Sequence, residues 1–118
     1  MQISHYEENQ FYVISIAGDI SRMTTGKINQ YLKPLLFSVE SKSKLKGVVL
    51  DCSQVESIDS AGVGLLCGKH VNLKKQSKKM AISGLSSELH KSFQQLDLTG
   101  RLNIYSSLQE AISILGVS

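Results

Sequence analysis

A single α/β domain built on a mixed, mostly parallel sheet, with elements in the order ββαβαβαβα, is the fold class this sequence predicts. Three observations carry that expectation. Short apolar runs of strand length alternate with longer stretches of helical periodicity, which implies crossover connections onto parallel strands. Residues 47–52, GVVLDC, form a short continuous apolar run, as a strand covered on both faces does. The first two strand-like runs are separated only by a short turn at Glu8-Asn9, so they pair as a hairpin and make the sheet mixed.

The elements follow in order. Residues 2–7 and 10–18 read as the two hairpin strands, and the second is apolar on both faces, through Tyr12, Ile14 and Ile16 on one and Phe11, Val13 and Ala17 on the other. The chain leaves this strand at Gly18-Asp19-Ile20-Ser21, where Ser21 is placed to cap the next helix. That helix carries Ile28, Tyr31, Leu32, Leu35, Leu36 and Val39 as one amphipathic stripe. Pro34 lies inside it, cannot donate to Gln30 and crowds that carbonyl; a kink or break is expected, and the unbroken phase of the stripe favours a kink. Residues 38–46 are polar and read as helix end and loop. After the 47–52 strand comes a short loop, then a helix from Ser60 with Val63, Leu66, Cys67, His70 and Leu73 at helical spacing. Residues 78–84, KKMAISG, are the next strand. Ser86-Ser87-Glu88 opens a helix with Leu89, Phe93 and Leu96 on one side, residues 102–105 form a last short strand, and Ser107 with Glu110 makes a capping box for a final helix bearing Leu108, Ala111, Ile112 and Leu115.

Composition bounds what this domain does. At 118 residues the chain is one domain spanning residues 1–118. A domain of that size buries roughly two-thirds of its unfolded surface, enough for a core without staples. With 42% apolar and 19% charged residues it is an ordinary globular chain. A net charge of +3 and a pI near 8.9 are too mild to indicate nucleic-acid binding. The lysines at Lys74-Lys75 and Lys78-Lys79 surround a helix end, where cations suit the dipole, and they add at most weak steering of a partner. The polar start MQISHYEENQ is not a signal peptide, and no apolar run approaches the ~18 residues of a membrane span, so a cytoplasmic location away from membranes is expected. Cys52 and Cys67 belong to no ligand-spaced motif and read as reduced, mostly buried thiols.

Three enzyme templates fail. Ser60 sits in no GxSxG elbow, and the chain has neither GxxxxGK[ST] nor a GxGxxG after a strand. None of His5, His70 and His90 is tied to Ser60 by a motif. Asp51, Glu56 and Asp59 are close in sequence, but no histidine or further acid stands at ligand spacing, so neither metal nor cofactor is expected. What remains is the helix start at Asp59-Ser60-Ala61-Gly62. Its first N–H groups lack intrahelical partners and the macrodipole is positive there. Either Asp59 or Ser60 is simply an N-cap, or Ser60 receives a phosphate, which such a site tolerates. Gly62-Val63-Gly64 reads as close backbone packing or adaptability where the helix begins.

The run from Asp51 to Leu66, DCSQVESIDSAGVGLL, resembles the signature of STAS domains, and within them the bacterial anti-sigma-factor antagonists. The resemblance extends over nearly the whole chain. It includes the ββαβαβαβα order, the Gly18 exit from the second strand, and the Phe93…Leu96…Leu98-Thr99-Gly100 segment. It implies a STAS-like domain in which Ser60 is phosphorylated by an anti-sigma factor that is itself a GHKL-type, ATP-dependent serine kinase. It further implies that a PP2C-type phosphatase reverses the modification, and that the unphosphorylated antagonist, a monomer when free, binds the kinase and releases the sigma factor. Carried over by position, the partner surface comprises Asp59, Ser60, Ala61, Gly62, Val63 and Gly64, with Asp19, Ser21 and Met23 from the loop after the second strand. One position departs: the aspartate that many members carry three residues after that strand's glycine is Ser21 here, and an acid stands earlier, as Asp19. This implies altered kinase recognition, or substitution by Asp19. Two other functions compete. The domain could be a constitutive structural subunit of a transporter or signalling scaffold, as some STAS domains are. It could be a serine hydrolase, which needs a histidine within ~2.6–3.2 Å of the Ser60 hydroxyl.

Overall fold

The computed structural model describes residues 1–95 and 102–116. They form a five-stranded mixed sheet with strands side by side in chain order: β1 (Gln2–Glu8), β2 (Phe11–Ile20), β3 (Gly47–Ile58), β4 (Lys79–Ser83) and β5 (Asn103–Tyr105). β1 runs antiparallel to β2, and every other pairing is parallel. The helices α1 (Thr25–Ser41), α2 (Ser60–Lys75), α3 (Ser87–Gln95) and α4 (Leu108–Gly116) complete the expected order. The segment Leu96 and Leu98-Thr99-Gly100, part of the family resemblance, lies outside the described residues.

The alternation of strand side chains divides the core into two layers. Ile14, Ile16, Leu50 and Ile82 face α1, α2 and α3, and pack with Ile28, Leu32, Leu66, Leu73 and Phe93. Phe11, Val13, Val49 and Ala81 face the other way, onto Ala111, Ile112 and Leu115 of α4. β2 and β3 are therefore covered on both faces, as their apolar runs predict, whereas β1 is an edge strand exposed along nearly its whole length. No helix among the described residues is long and apolar enough to cross a membrane.

Several details differ from the sequence reading, each for a local reason. The hairpin turn is Asn9-Gln10, not Glu8-Asn9. Both residues have positive φ (52° and 71°), the two-residue geometry that suits the twist of antiparallel strands, and Glu8 stays paired with Phe11. β3 does not stop at Cys52 but continues to Ile58. Its register against β2 shifts between Ser15 and Ala17 and again between Gly18 and Asp19, so the polar residues Ser53 and Gln54 lie at an irregularity that reads in sequence as a loop. Gly18 sits at that irregularity with φ 111°, a conformation that favours glycine. Pro34, by contrast, does not break α1, in keeping with the unbroken phase of its stripe: Ile28, Leu32, Leu36 and Val39 are buried along one side, and their burial holds the helix across the lost hydrogen bond. The capping box half forms. Ser107 Oγ accepts from the Glu110 N–H (3.1 Å), but the Glu110 carboxylate accepts from Ser106 Oγ (3.0 Å).

Both cysteines are free thiols. Cys52 is wholly buried, and burial, aided by the Asp51 charge, pushes its thiol up to about 12. Cys67 is only half-buried. A thiol reagent at pH 8 should therefore leave Cys52 unmodified in the native protein, label Cys67 slowly, and label both quickly only in denaturant. Equal native labelling rates, read by mass spectrometry, would contradict this placement of β3.

Candidate functional site

β2 and β3 leave the sheet side by side, with Ile20 paired to Ile58. The chain after each strand is held to its neighbour by main-chain contacts. The Ile20 carbonyl accepts from the Asp59 N–H at 3.2 Å. It also abuts Gly62 in the first turn of α2, where a Cβ would stand 2.2 Å from that oxygen. Only a residue without Cβ fits there. Gly64, two residues on, has nothing within 4 Å, so of the two glycines in Gly62-Val63-Gly64 only the first is demanded by packing.

Asp59 is the N-cap of α2, in extended conformation (φ −102°, ψ −177°). One carboxylate oxygen accepts from the Gly62 N–H (2.9 Å) and the other from the Arg22 N–H (2.9 Å). A single side chain thus pins the helix start to the turn that follows β2. These bonds hold the Asp59 carboxyl below the usual carboxylate range, the Arg22 N–H contributing most, then that of Gly62, with a smaller share from the Arg22 charge.

Ser60 follows as the first helical residue. It is exposed, and among the described residues its hydroxyl has no hydrogen-bond partner. Ala61 and Val63 are half-buried, Val63 against the core. The turn before α1 supplies the rest of the surface. Ser21 does not cap α1. Its Oγ accepts from the Met23 N–H (3.3 Å), its N–H donates to Thr24 Oγ1 (2.9 Å), and its carbonyl accepts from the Thr24 and Thr25 N–H groups at 2.9 Å. The helix consequently begins at Thr25. Met23 projects from this turn, 86% exposed. Asp19 lies exposed at the end of β2, with one carboxylate oxygen accepting from Ser57 Oγ (2.8 Å) on β3.

The structure therefore joins the helix start, Asp59 to Gly64, to the turn carrying Ser21 and Met23, with Asp19 tied to the sheet behind them. It also shows two contributors that sequence reasoning missed, Ile20 and Arg22. Both act through main-chain atoms, so their side-chain identities carry no signal of the role. Among the described residues no histidine is hydrogen-bonded to Ser60. His5 Nδ1 is hydrogen-bonded to the Tyr31 hydroxyl (2.6 Å), and His70 lies ten residues down α2, about 15 Å along its axis. Among the described residues no three of His, Cys, Asp and Glu gather as metal ligands. The arrangement presents an exposed serine hydroxyl at a helix start pinned by its neighbouring aspartate.

The STAS-domain family model matches residues 2–111. An anti-sigma-B factor antagonist from Listeria monocytogenes is 28% identical over 93 residues, covering 77% of this chain and 75% of that protein. An anti-sigma factor antagonist from Mycobacterium paratuberculosis superimposes with a TM-score of 0.84 at 18% identity, over 97% of this chain and 92% of that one. The phosphorylated form of the Bacillus cell fate determinant SpoIIAA gives 0.68 at 18% identity, over 97% and 99%.

Gly62→Ala should lose about 1–3 kcal/mol of stability, because the methyl must displace the Ile20 carbonyl. Gly64→Ala should instead gain about 0.5–1 kcal/mol from helix propensity in open space. Urea unfolding checks both, and equal effects would contradict the contact with Ile20. The Asp59 shift has a definite sign. A carboxyl depressed in the folded state contributes stability above its unfolded pKa, lost as pH falls through the folded pKa. Asp59→Asn retains a good N-cap and removes the titration. Its stability should fall less than that of the parent between neutral and acid pH, whereas parallel pH profiles would show the carboxylate to be energetically idle.

Proposed function

The chain belongs to the STAS-domain family, and on that premise we propose that it is a phosphoregulated anti-sigma-factor antagonist acting in the cytoplasm. Unmodified at Ser60, it binds a cognate anti-sigma factor, a GHKL-type serine kinase, and so releases the sigma factor; phosphorylation of Ser60 by that kinase ends the binding, and a PP2C-type phosphatase restores it. It works as a binding module and not as a catalyst.

One observation carries this reading: an exposed, unpartnered serine hydroxyl at the first position of a helix whose start is already pinned by its neighbour, Asp59. Phosphorylation adds about −1.5 to −2 charges at pH 7. At a helix N-terminus that charge meets the positive end of the dipole, so the folded domain accommodates it. The same phosphate in a protein interface must be desolvated. The docking surface comprises Asp59, Ser60, Ala61, Gly62, Val63 and Gly64 of the helix start, with Asp19, Ser21 and Met23 at the end of β2 and in the turn that follows it. The exposure of Met23 and the bare backbone at Gly64 support close approach of a partner there. Ser21 stands in place of an acid, while Asp19 is exposed and accepts from Ser57 through only one carboxylate oxygen, so altered kinase recognition and substitution by Asp19 both fit the site.

Leaving a phosphate buried and unpaired in the interface costs on the order of 3–5 kcal/mol, which at 1.4 kcal/mol per decade weakens binding by roughly a hundredfold or more. Incubation with a cognate GHKL-type anti-sigma kinase and ATP should therefore place phosphate on Ser60 and abolish tight binding, while Ser60→Ala binds and resists the kinase. Phosphate on another residue, or equal affinity of the two forms, would leave the constitutive structural subunit as the better reading.

A further inference from the structure

A second surface lies on the same layer of helices, away from Ser60. Between the later turns of α1 and α2 the structure leaves a groove of about 450 Å³. Lys33, Pro34, Phe37 and Glu40 form its α1 wall, Lys69 and Asn72 its α2 wall. Lys69 is nine residues beyond Ser60, about 14 Å along the helix. Phe37 is 69% exposed, an aromatic ring that the core does not use. Among the described residues neither Lys33 nor Lys69 has a hydrogen bond or an ion pair. Burial, then the charge of Lys33, pulls the Lys69 ammonium below its usual range, with Glu40 opposing.

We propose that this groove binds an acidic, amphipathic segment of a protein partner, with an apolar side chain seated against Phe37 and Pro34 and carboxylates on Lys33 and Lys69. Charge complementarity selects the occupant. Two unpaired ammonium groups face each other across an apolar floor and repel, and an anion placed between them relieves that repulsion while the apolar side chain covers the ring. Among the residues that line the groove, Glu40 alone opposes an acidic ligand. The concavity between two helix walls suits a helical or extended segment better than a flat bilayer or a duplex. This surface does not depend on modification of Ser60, so a partner held here can stay bound while the helix start switches.

The test uses the full chain, labelled with ¹⁵N, and a fluorescent synthetic peptide of about twelve residues combining Glu with Leu and Phe, beside a control with Lys for every Glu. The acidic peptide should bind saturably and shift the amide signals of residues 33–40 and 69–72, leaving those of 59–64 in place. Lys33→Glu with Lys69→Glu should weaken binding by roughly tenfold or more, as reversal of two charge contacts does. Phe37→Ser, a change at an exposed position, should weaken it independently and decides the matter if the double variant does not fold. Absence of saturable binding, equal binding of the Lys control, or shifts confined to the Ser60 end would overturn the proposal. So would occupancy of the same residues only by anionic vesicles, by duplex DNA or by a second copy of the chain. Because no kinase or phosphate enters the experiment, its outcome is separate from that of the Ser60 switch.

Discussion

The carbonyl of Ile20 is the point on which the site turns. It closes β2, takes the Asp59 N–H, and lies against the α-carbon of Gly62, so one main-chain oxygen sets both the end of β3 and the distance of α2 from the sheet. Asp59 then ties the helix start to the Arg22 N–H. The position of Ser60 is consequently fixed by backbone contacts and one carboxylate, leaving its own side chain out of the structure. A residue relieved of structural duty in a rigid setting can change its charge without disturbing the fold.

The two ends of α2 divide the work. Its first turns carry small residues, which let the backbone approach β2 on one side and leave it bare on the other. Its later turns carry Leu66 and Leu73, which are wholly buried and anchor the helix in the core. The lysines around its end serve neighbouring segments. Lys78 Nζ donates to the carbonyls of Leu45 (2.6 Å) and Lys42 (3.2 Å) beyond the end of α1, and Lys46 Nζ donates to Gly116 (3.1 Å) at the end of α4. Part of what composition suggests is a merely solvated basic face is thus a set of ties satisfying the last carbonyls of other elements.

The sequence made the order of elements legible because burial on two faces leaves two distinct periodicities: continuous apolar runs in β2, β3 and β4, and the stripe of α1 across Pro34. It made the helix start at Asp59-Ser60 legible because an N-cap acid before small residues has a local signature. The extension of β3 to Ile58 was not legible, since its residues 53–58 pair through shifted register with β2 and are mostly polar and exposed. The start of α1 was misread for a related reason. Ser21 has the chemistry of a cap, but its hydroxyl and main chain are used inside a turn through Met23 and Thr24. The roles of Ile20 and Arg22 left no trace, because a carbonyl and an N–H are common to nearly all residues. The distinction between Gly62 and Gly64 likewise needs the distance to Ile20.

On the proposed function, Ser60 stands on a platform rigid enough for a phosphate to alter the surface and nothing else. Phosphoserine can be installed at position 60 during translation and the amide spectra of the two forms compared. Signals at residues 18–24 and 59–64 should change, with the β2, β3 and β4 core signals unmoved and the melting temperature nearly the same. Shifts spread through the core, or a melting temperature lowered by many degrees, would show that the serine is part of the fold and contradict a switch built on it.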